Sequence, residues 1–262
     1  MSDSRFPLTA ALGHDLVVLD DVESTNRYLV EHLGEPNRVK IVVTTNQTAG
    51  RGRLDRAWLS PPGSGLALSV ALPASLTPSP LTPAYLQLVS LVTGGCVAEA
   101  VTNEVSDEVM VKWPNDVLVG EKKVAGILGE IGPGSRIIVG VGLNIELAAT
   151  QLPTVHATSL HLHGAHPPGL ADRFVATFVP RLLNQVADVV DGLTVATQGW
   201  LEGWLTTLGR PVSVDYPTGE RLVGVAEGLG QDGSLQVRDQ SGRLVAVTAG
   251  DVYHLRHRPA SN

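Results

Sequence analysis

The sequence predicts an α+β fold: a mixed β-sheet flanked by helices, followed by a small all-β unit consistent with an SH3-like barrel. Three observations lead there. Short β-branched and apolar runs alternate with helical patterns over the first two hundred residues. From Arg210 the texture changes to short strands separated by the turns PTGE, GQDGS and DQSG. Hydrophobic residues make up 43% and charged residues 17% of the 262, so a sizeable core can form and global disorder is excluded. The boundary falls at 208, dividing the chain into 1–208 and 209–262.

The elements follow in order. LVVLD (16–20) reads as a short buried strand. Ser24 or Thr25 caps a helix through NRYLVEHL, which Gly34 and Pro36 stop. RVKIVVTT (38–45) and GLALSVALP (65–73) are strands. Between them lies NQTAGRGRLDRAWLSPPGSG, a polar glycine-rich loop of a length usually reserved for function. After a proline-rich stretch at 72–83, LTPAYLQLVSLVTGGCVAEAV forms a core helix in which Gly94 and Gly95 allow close packing. VMVKW, DVLVG and KKVAGILGEI are strands, the last two joined by a tight turn at Gly120–Glu121. SRIIVGVGLNIEL (135–147) continues the sheet. Two amphipathic helices follow, ADRFVATFVPRLLNQVADVV, interrupted near Pro180, and TVATQGWLEGWLTTL. PVSVDY, RLVGVAEGL, SLQVRD, RLVAVTA and VYHLR complete the β unit.

Composition removes several classes of function. A net charge of −7 and a pI near 5.6 argue against broad binding to DNA or to an anionic membrane surface. No apolar run approaches the ~20 residues of a membrane span, and the N-terminus lacks the basic-then-apolar order of a secretory signal. A cytoplasmic location is expected. Cys96 is the single cysteine, which excludes an intrachain disulfide and a Cys-rich zinc site; its place in a helical apolar pattern suits a small buried hydrophobe. His156, His161, His163 and His166 cluster without an acidic or cysteine partner at ligand spacing, so a solvated loop is expected. Only four lysines occur, and Lys112, Lys122 and Lys123 fall in one short segment.

Three segments carry chemistry. In GRGRLDRAW (50–58), Gly50 and Gly52 let the backbone approach a ligand, and Arg51, Arg53 and Arg56 supply guanidinium forks for phosphate or carboxylate. Trp58 adds a surface for stacking. Neither the phosphate-loop pattern GxxxxGK[ST] nor GxGxxG after a strand is met, and an ordinary basic loop competes with the phosphate reading. In VKWPNDVLVGEKKVAGILGE (111–130), Lys112, Asn115 and Asp116 gather around Pro114, although Asn and Asp beside proline also serve as self-capping turns. Lys123 is expected to point from the sheet into a cleft, with Lys122 on the opposite side and Gly126 leaving space for a ligand. In GVGLN (140–144), glycines sit mid-strand, where they suit close approach, and Asn144 follows.

Taken together and in this order, these segments resemble the biotin protein ligase family. The resemblance runs from EST-N (23–26) through QTAGRGR (47–53), W-SP-G-GL-LS (58–69), KWPNDVLV (112–119), KKVAGILGE (122–130) and GVGLNI (140–145) to ATSL (157–160), and the terminal β unit matches the family's small C-terminal domain. It implies a class II synthetase-like catalytic fold and a two-step reaction. Biotin's carboxylate attacks the α-phosphate of Mg·ATP, giving biotinyl-5′-AMP and pyrophosphate; a lysine of a biotin carboxyl carrier protein then attacks the acyl carbon and releases AMP. Lys123 matches the family's central lysine and Arg53 the arginine that holds the adenylate; these two are the implied catalytic residues. Ser24, Thr25, Asn26, Gln47, Gly50, Arg51, Gly52, Arg53, Lys123, Gly126 and Gly142 match the biotin side. Arg53, Arg56, Trp58, Lys112, Asn115 and Asn144 match the ATP side. Asp116 is a candidate metal or amine partner. The resemblance implies no resident metal, Mg²⁺ arriving with ATP.

Two departures stand out. Where many relatives read GRGRRGR, this chain has Leu54 and Asp55, which trades a positive charge for a negative one next to Arg56. About twenty residues precede EST-N, too few for the helix-turn-helix domain of some relatives, so the expectation is a monofunctional ligase that does not bind DNA. Lipoate or octanoate transfer on a related fold is the alternative within enzymes. Whether the chain is a monomer or a homodimer is left open.

Overall fold

The computed structural model describes residues 4–255 except 167 and 217, and at Asp55 the backbone alone. The chain opens with a one-turn helix, α1 (Pro7–Ala10), pinned by Asp172, whose carboxylate accepts from the Thr9 N–H and hydroxyl, both at 2.8 Å. Strand β1 (Asp15–Leu19) leads to α2 (Thr25–Glu31), capped by Ser24, whose Oγ accepts from the Arg27 N–H. β2 (Lys40–Thr44) precedes the long glycine-rich loop, which contains a small hairpin of β3 (Gly50–Arg51) and β4 (Ala57–Trp58). β5 (Gly65–Ala71) is buried along its whole length. Its residues Leu66, Leu68 and Val70 join the main core, while Ser69 meets α2 on the other face.

Helix α3 (Pro83–Val101) packs against β6 (Val109–Lys112), β7 (Asp116–Val119), β8 (Lys122–Ile131) and β9 (Ile137–Asn144). Its glycines serve as expected: a Cβ on Gly94 would meet Val111 at 3.3 Å, and one on Gly95 would meet Trp200 at 2.7 Å. By length and composition α3 could cross a membrane, although Gln87, Ser90 and Thr93 interrupt its apolar run. The hydroxyls of Ser90 and Thr93 donate back to Leu86 and Val89 carbonyls, and the helix is mostly buried inside the fold.

The seven-stranded sheet has the order β1-β2-β5-β9-β8-β7-β6. Only β1 and β2 pair in parallel; every other neighbour is antiparallel, which makes the sheet mixed. Helix α4 (Leu170–Ala187) covers α3 and runs unbroken through Pro180, contrary to the expected interruption. Phe174, Val175, Phe178, Val179, Leu182 and Val186 are all buried on one stripe, and that burial outweighs the hydrogen bond that proline forfeits. Helix α5 (Val195–Trp204), capped by Thr194, leads into the β unit.

That unit comprises β10 (Pro211–Asp215), β11 (Arg221–Leu229), β12 (Leu235–Asp239), β13 (Leu244–Val247) and β14 (Asp251–His254), an antiparallel sheet in the order β13-β12-β11-β10-β14. No ladder joins β13 to β14 among the described residues, so closure into a barrel is not seen in the pairing. The unit is fastened to the seven-stranded sheet at the KWPND segment. Trp113 donates its Nε1–H to Gly233 O at 3.1 Å and its backbone N–H to Thr207 Oγ1 at 3.0 Å.

Candidate active site

A cavity of about 1080 Å³ lies on the face of the large sheet turned away from α3, roofed by the β3–β4 hairpin and walled at one end by β14. Its floor is flat because glycines face each other across strands. Gly126 of β8 pairs with Gly142 of β9, and a Cβ on either would run into the Trp58 indole, at 3.0 Å in the case of Gly126. A Cβ on Gly140 would strike the Asn26 amide.

Lys123 reaches this floor through a β-bulge. Leu118 pairs with Lys123 but the adjacent Val117 pairs with Ala125, so Val124 is the extra residue. Strict alternation would place Lys123 with Ala125 and Ile127, beneath α3. The bulge turns it to the side of Gly126, whose Cβ position is 3.1 Å from Lys123 Nζ. The ammonium lies 2.6 Å from Asp116 Oδ1 and 5.5 Å over the Trp58 ring, one-third exposed. Asp116 is therefore an amine partner here. Lys122 is exposed.

One end of the cavity is neutral and finely hydrogen-bonded. Gln47 Oε1 accepts from the Thr25 N–H at 3.0 Å and lies 3.3 Å from its hydroxyl. Ser69 Oγ lies 2.7 Å from Thr25 Oγ1 and 2.6 Å from Asn26 Oδ1. Asn26 Nδ2 donates to Glu130 Oε2 at 2.6 Å, and Glu130 Oε1 accepts from Arg51 at 3.0 Å, which ties the lid to the pocket wall. Such an array of fixed donors and acceptors suits a compact polar ring.

The other end is cationic. Arg53 donates to Asn115 Oδ1 at 3.0 Å and to Gly250 O at 3.4 Å, while Asn115 Nδ2 donates to Ile127 O at 2.9 Å. Burial pulls the Arg53 guanidinium below its ordinary pKa, opposed by Asp251 and Asp116. Burial likewise lowers Lys112, whose ammonium sits 5.8 Å over the Tyr253 ring. Arg56 is raised by its hydrogen bond to Asp251. The partner of Arg56 thus comes from β14; the Asp55 side chain, expected to neutralise it, lies outside the described residues. Asn144 Nδ2 donates to Thr158 O at 2.9 Å. Arg53 and Lys112, partly desolvated, and the more exposed Arg56 gathered at one end make a site for a polyanion.

Every residue that the sequence marked for the site lines this cavity except Gly50, which is buried at the foot of the hairpin, where a Cβ would collide with Gln47 and the Trp58 carbonyl. Trp58, marked for the nucleotide, lies on the glycine floor between the two ends. Sequence reasoning missed Ser69, Glu130, Gly250, Asp251 and Tyr253. Glu130 shares a strand face with Gly126 and was findable by alternation; Asp251 and its neighbours carried no local signal. The expected solvated histidine loop holds only in part: His163 is half-buried and bonded to Thr158 and Asp107. Among the described residues no group of three or more His, Cys, Asp or Glu could hold a metal. Cys96 is buried and its thiol pushed up by burial, as a structural cysteine should be.

Comparison with known proteins places the chain in a family. A biotin/lipoate A/B protein ligase family model matches residues 18–144, and a biotin protein ligase C terminal domain model matches 207–255. The chain is 34% identical over 222 residues to the biotin--[acetyl-CoA-carboxylase] ligase of Mycobacterium tuberculosis, covering 82% of this chain and 79% of that protein. It is 36% identical over 245 residues to the bifunctional ligase/repressor BirA of Salmonella typhimurium, covering 91% and 73%. The chain belongs to the biotin protein ligase family. A solved biotin protein ligase from Aquifex aeolicus, in complex with biotin and ATP, matches with a TM-score of 0.75 at 27% identity, over 92% of this chain and 99% of that one. The ligase fold therefore extends through the C-terminal sheet, and β14 is part of the wall of the ligase cavity.

Proposed function

We propose that the protein is an ATP-dependent biotin protein ligase that forms biotinyl-5′-AMP and transfers biotin to a lysine of a biotin carboxyl carrier protein. One observation supports this above the rest. A single cavity joins a neutral hydrogen-bonding end at Thr25, Asn26 and Gln47 to a cationic end at Arg53, Arg56 and Lys112, with Lys123 between them. Biotin's ureido ring belongs at the first end and the ATP phosphates at the second, with Mg²⁺ carried as part of the ATP substrate.

In the first step a carboxylate oxygen of biotin bonds to the α-phosphorus and the bond to the β-phosphate oxygen breaks, releasing pyrophosphate. Two anions meet, and negative charge builds on the phosphoryl oxygens. Lys123 and Arg53 oppose that charge inside a roofed cavity, where preorganised cations act more strongly than in water. Arg51 and Gly52 close the hairpin over the biotin side; Asn115 and Asn144 hold the nucleotide. Retention matters because a mixed anhydride that escapes hydrolyses or acylates stray amines. In the second step the carrier lysine, unprotonated, attacks the acyl carbon; AMP leaves and the amine loses its proton. The carrier of acetyl-CoA carboxylase is the proposed acceptor.

The test is incubation with ATP, Mg²⁺ and either biotin or lipoate, read by mass spectrometry. Biotinyl-AMP with biotin is expected. Lipoyl-AMP with lipoate and none with biotin would overturn the reading in favour of lipoate transfer.

A further inference from the structure

Behind Lys123 lies a short segment that touches both ends of the proposed nucleotide machinery. The Lys123 N–H donates to His156 O at 2.7 Å, and the Thr158 N–H donates to Lys123 O at 2.8 Å. The Thr158 carbonyl accepts from Asn144 Nδ2 at 2.9 Å. Thr158 therefore holds the backbone of the lysine and the side chain of the asparagine at once. Its own side chain is anchored in turn: Thr158 Oγ1 lies 2.8 Å from His163 Nε2, and His163 Nδ1 lies 2.5 Å from Asp107 Oδ2.

A hydroxyl, an imidazole and a carboxylate in line invite comparison with a nucleophilic triad, but Thr158 is 2% exposed and does not line the cavity. The arrangement can hold but not attack. In the neutral imidazole, a proton on Nδ1 donated to Asp107 leaves Nε2 to accept from the Thr158 hydroxyl. His163 is also fixed through its backbone, since its carbonyl accepts from the Ser106 N–H at 3.1 Å. The chain from the 106–107 loop to Asn144 is continuous and every member has a partner, the condition under which a polar network rigidifies a site.

We propose that Asp107, His163 and Thr158 form a positioning relay that sets Lys123 and Asn144 for ATP use; this rests on the ligase reading above. None of the three is a catalytic residue. The relay acts mainly on the nucleotide side, because its one side-chain contact to the site goes to Asn144, it holds only the backbone of Lys123 between the two ends, and none of its bonds goes to Thr25, Asn26 or Gln47.

Two substitutions of His163 separate its two bonds. Asparagine places an amide near the Nδ1 position and keeps the bond to Asp107 but not that to Thr158. Glutamine reaches the Nε2 position and keeps the bond to Thr158. Steady-state adenylate formation should show His163→Asn with KM for ATP raised and kcat lowered, each by about tenfold, and KM for biotin little changed. His163→Gln should rescue most of the loss, and Thr158→Val should reproduce the asparagine phenotype. A His163→Asn enzyme with wild-type kinetics would overturn the relay. So would an equal loss in the two His163 variants, or a parallel rise in KM for biotin with a lowered melting temperature, which marks a role in folding alone. Absence of biotinyl-AMP from the wild type would instead refute the ligase reading, and the relay with it.

Discussion

Replacing Lys123 with alanine is the sharpest perturbation, because the structure supplies both a magnitude and a confounding partner. Two unit charges about 4 Å apart at an effective dielectric near 20 interact by about 4 kcal/mol, and an ammonium one-third exposed retains about 3 kcal/mol of that against a phosphoryl oxygen. A loss of that size slows adenylate formation by about a hundredfold. The variant should fold, since the side chain faces the cavity and the floor beneath it is unchanged. Lys122→Ala, on the exposed side of the strand, should behave as wild type. However, Asp116 lies 2.6 Å from Lys123 and would be left facing the phosphate alone, so a slow single variant has two explanations. The double variant Lys123→Ala/Asp116→Asn separates them. If Lys123 stabilises the reacting phosphate, the double variant stays slow; if the loss came from an unmasked carboxylate, it recovers. Single-turnover quench with mass-spectrometric detection of biotinyl-AMP reads the rate. A folded Lys123→Ala protein within about threefold of wild type, or recovery in the double variant, would refute the assignment.

Two further outcomes follow from contacts at the C-terminal wall. The hairpin roof is held by Arg51–Glu130 and Arg56–Asp251, with Leu54 at a positive φ of 53° and more than half exposed, so Asp251→Asn should speed tryptic cleavage between Arg51 and Arg56 several-fold, and biotin plus ATP should protect the wild type; cleavage indifferent to the mutation and to ligands would contradict the lid. His254 is pushed down to about 4 by burial and by Lys112 and Arg210, while its unfolded pKa is 6.5. The unfolded chain therefore takes up the proton first as pH falls, and stability is lost between about pH 6.5 and 4, by about 1–2 kcal/mol after allowance for partial exposure. His254→Gln, which can keep the bond to Thr207 Oγ1, should show a shallower fall in melting temperature over that range than wild type; identical slopes would refute the shift.

What was legible in the sequence was whatever follows from local pattern. The β-branched runs, the Ser24 cap and the mid-strand glycines each act within a few residues, and each appears where its pattern placed it. Tertiary packing decided the exceptions. Pro180 reads as a break, yet the helix continues because its neighbours fill a buried stripe. The cleft-facing Lys123 was the right expectation, but period two alone would have set it under α3 with Ala125 and Ile127; the bulge at Val124 reverses the parity, and no residue there announces one.

The cationic end shows the same limit over a longer range. Arg53, Arg56 and Lys112 were all visible as guanidinium and ammonium groups near glycines, but their partners are Gly250, Asp251 and Tyr253, up to 197 residues away along the chain. Trp113, just after the strand that carries Lys112, helps dock those partners through Thr207 and Gly233, and the Thr206 N–H donates to Val111 O beside it. The cationic charge, which on the proposed reading receives the triphosphate, is thus balanced by a carbonyl, a carboxylate and a ring face from the second sheet. Removing that sheet would expose Arg53 and Lys112 to water and leave the roof with the Arg51–Glu130 pair alone, so the large sheet by itself is an incomplete site.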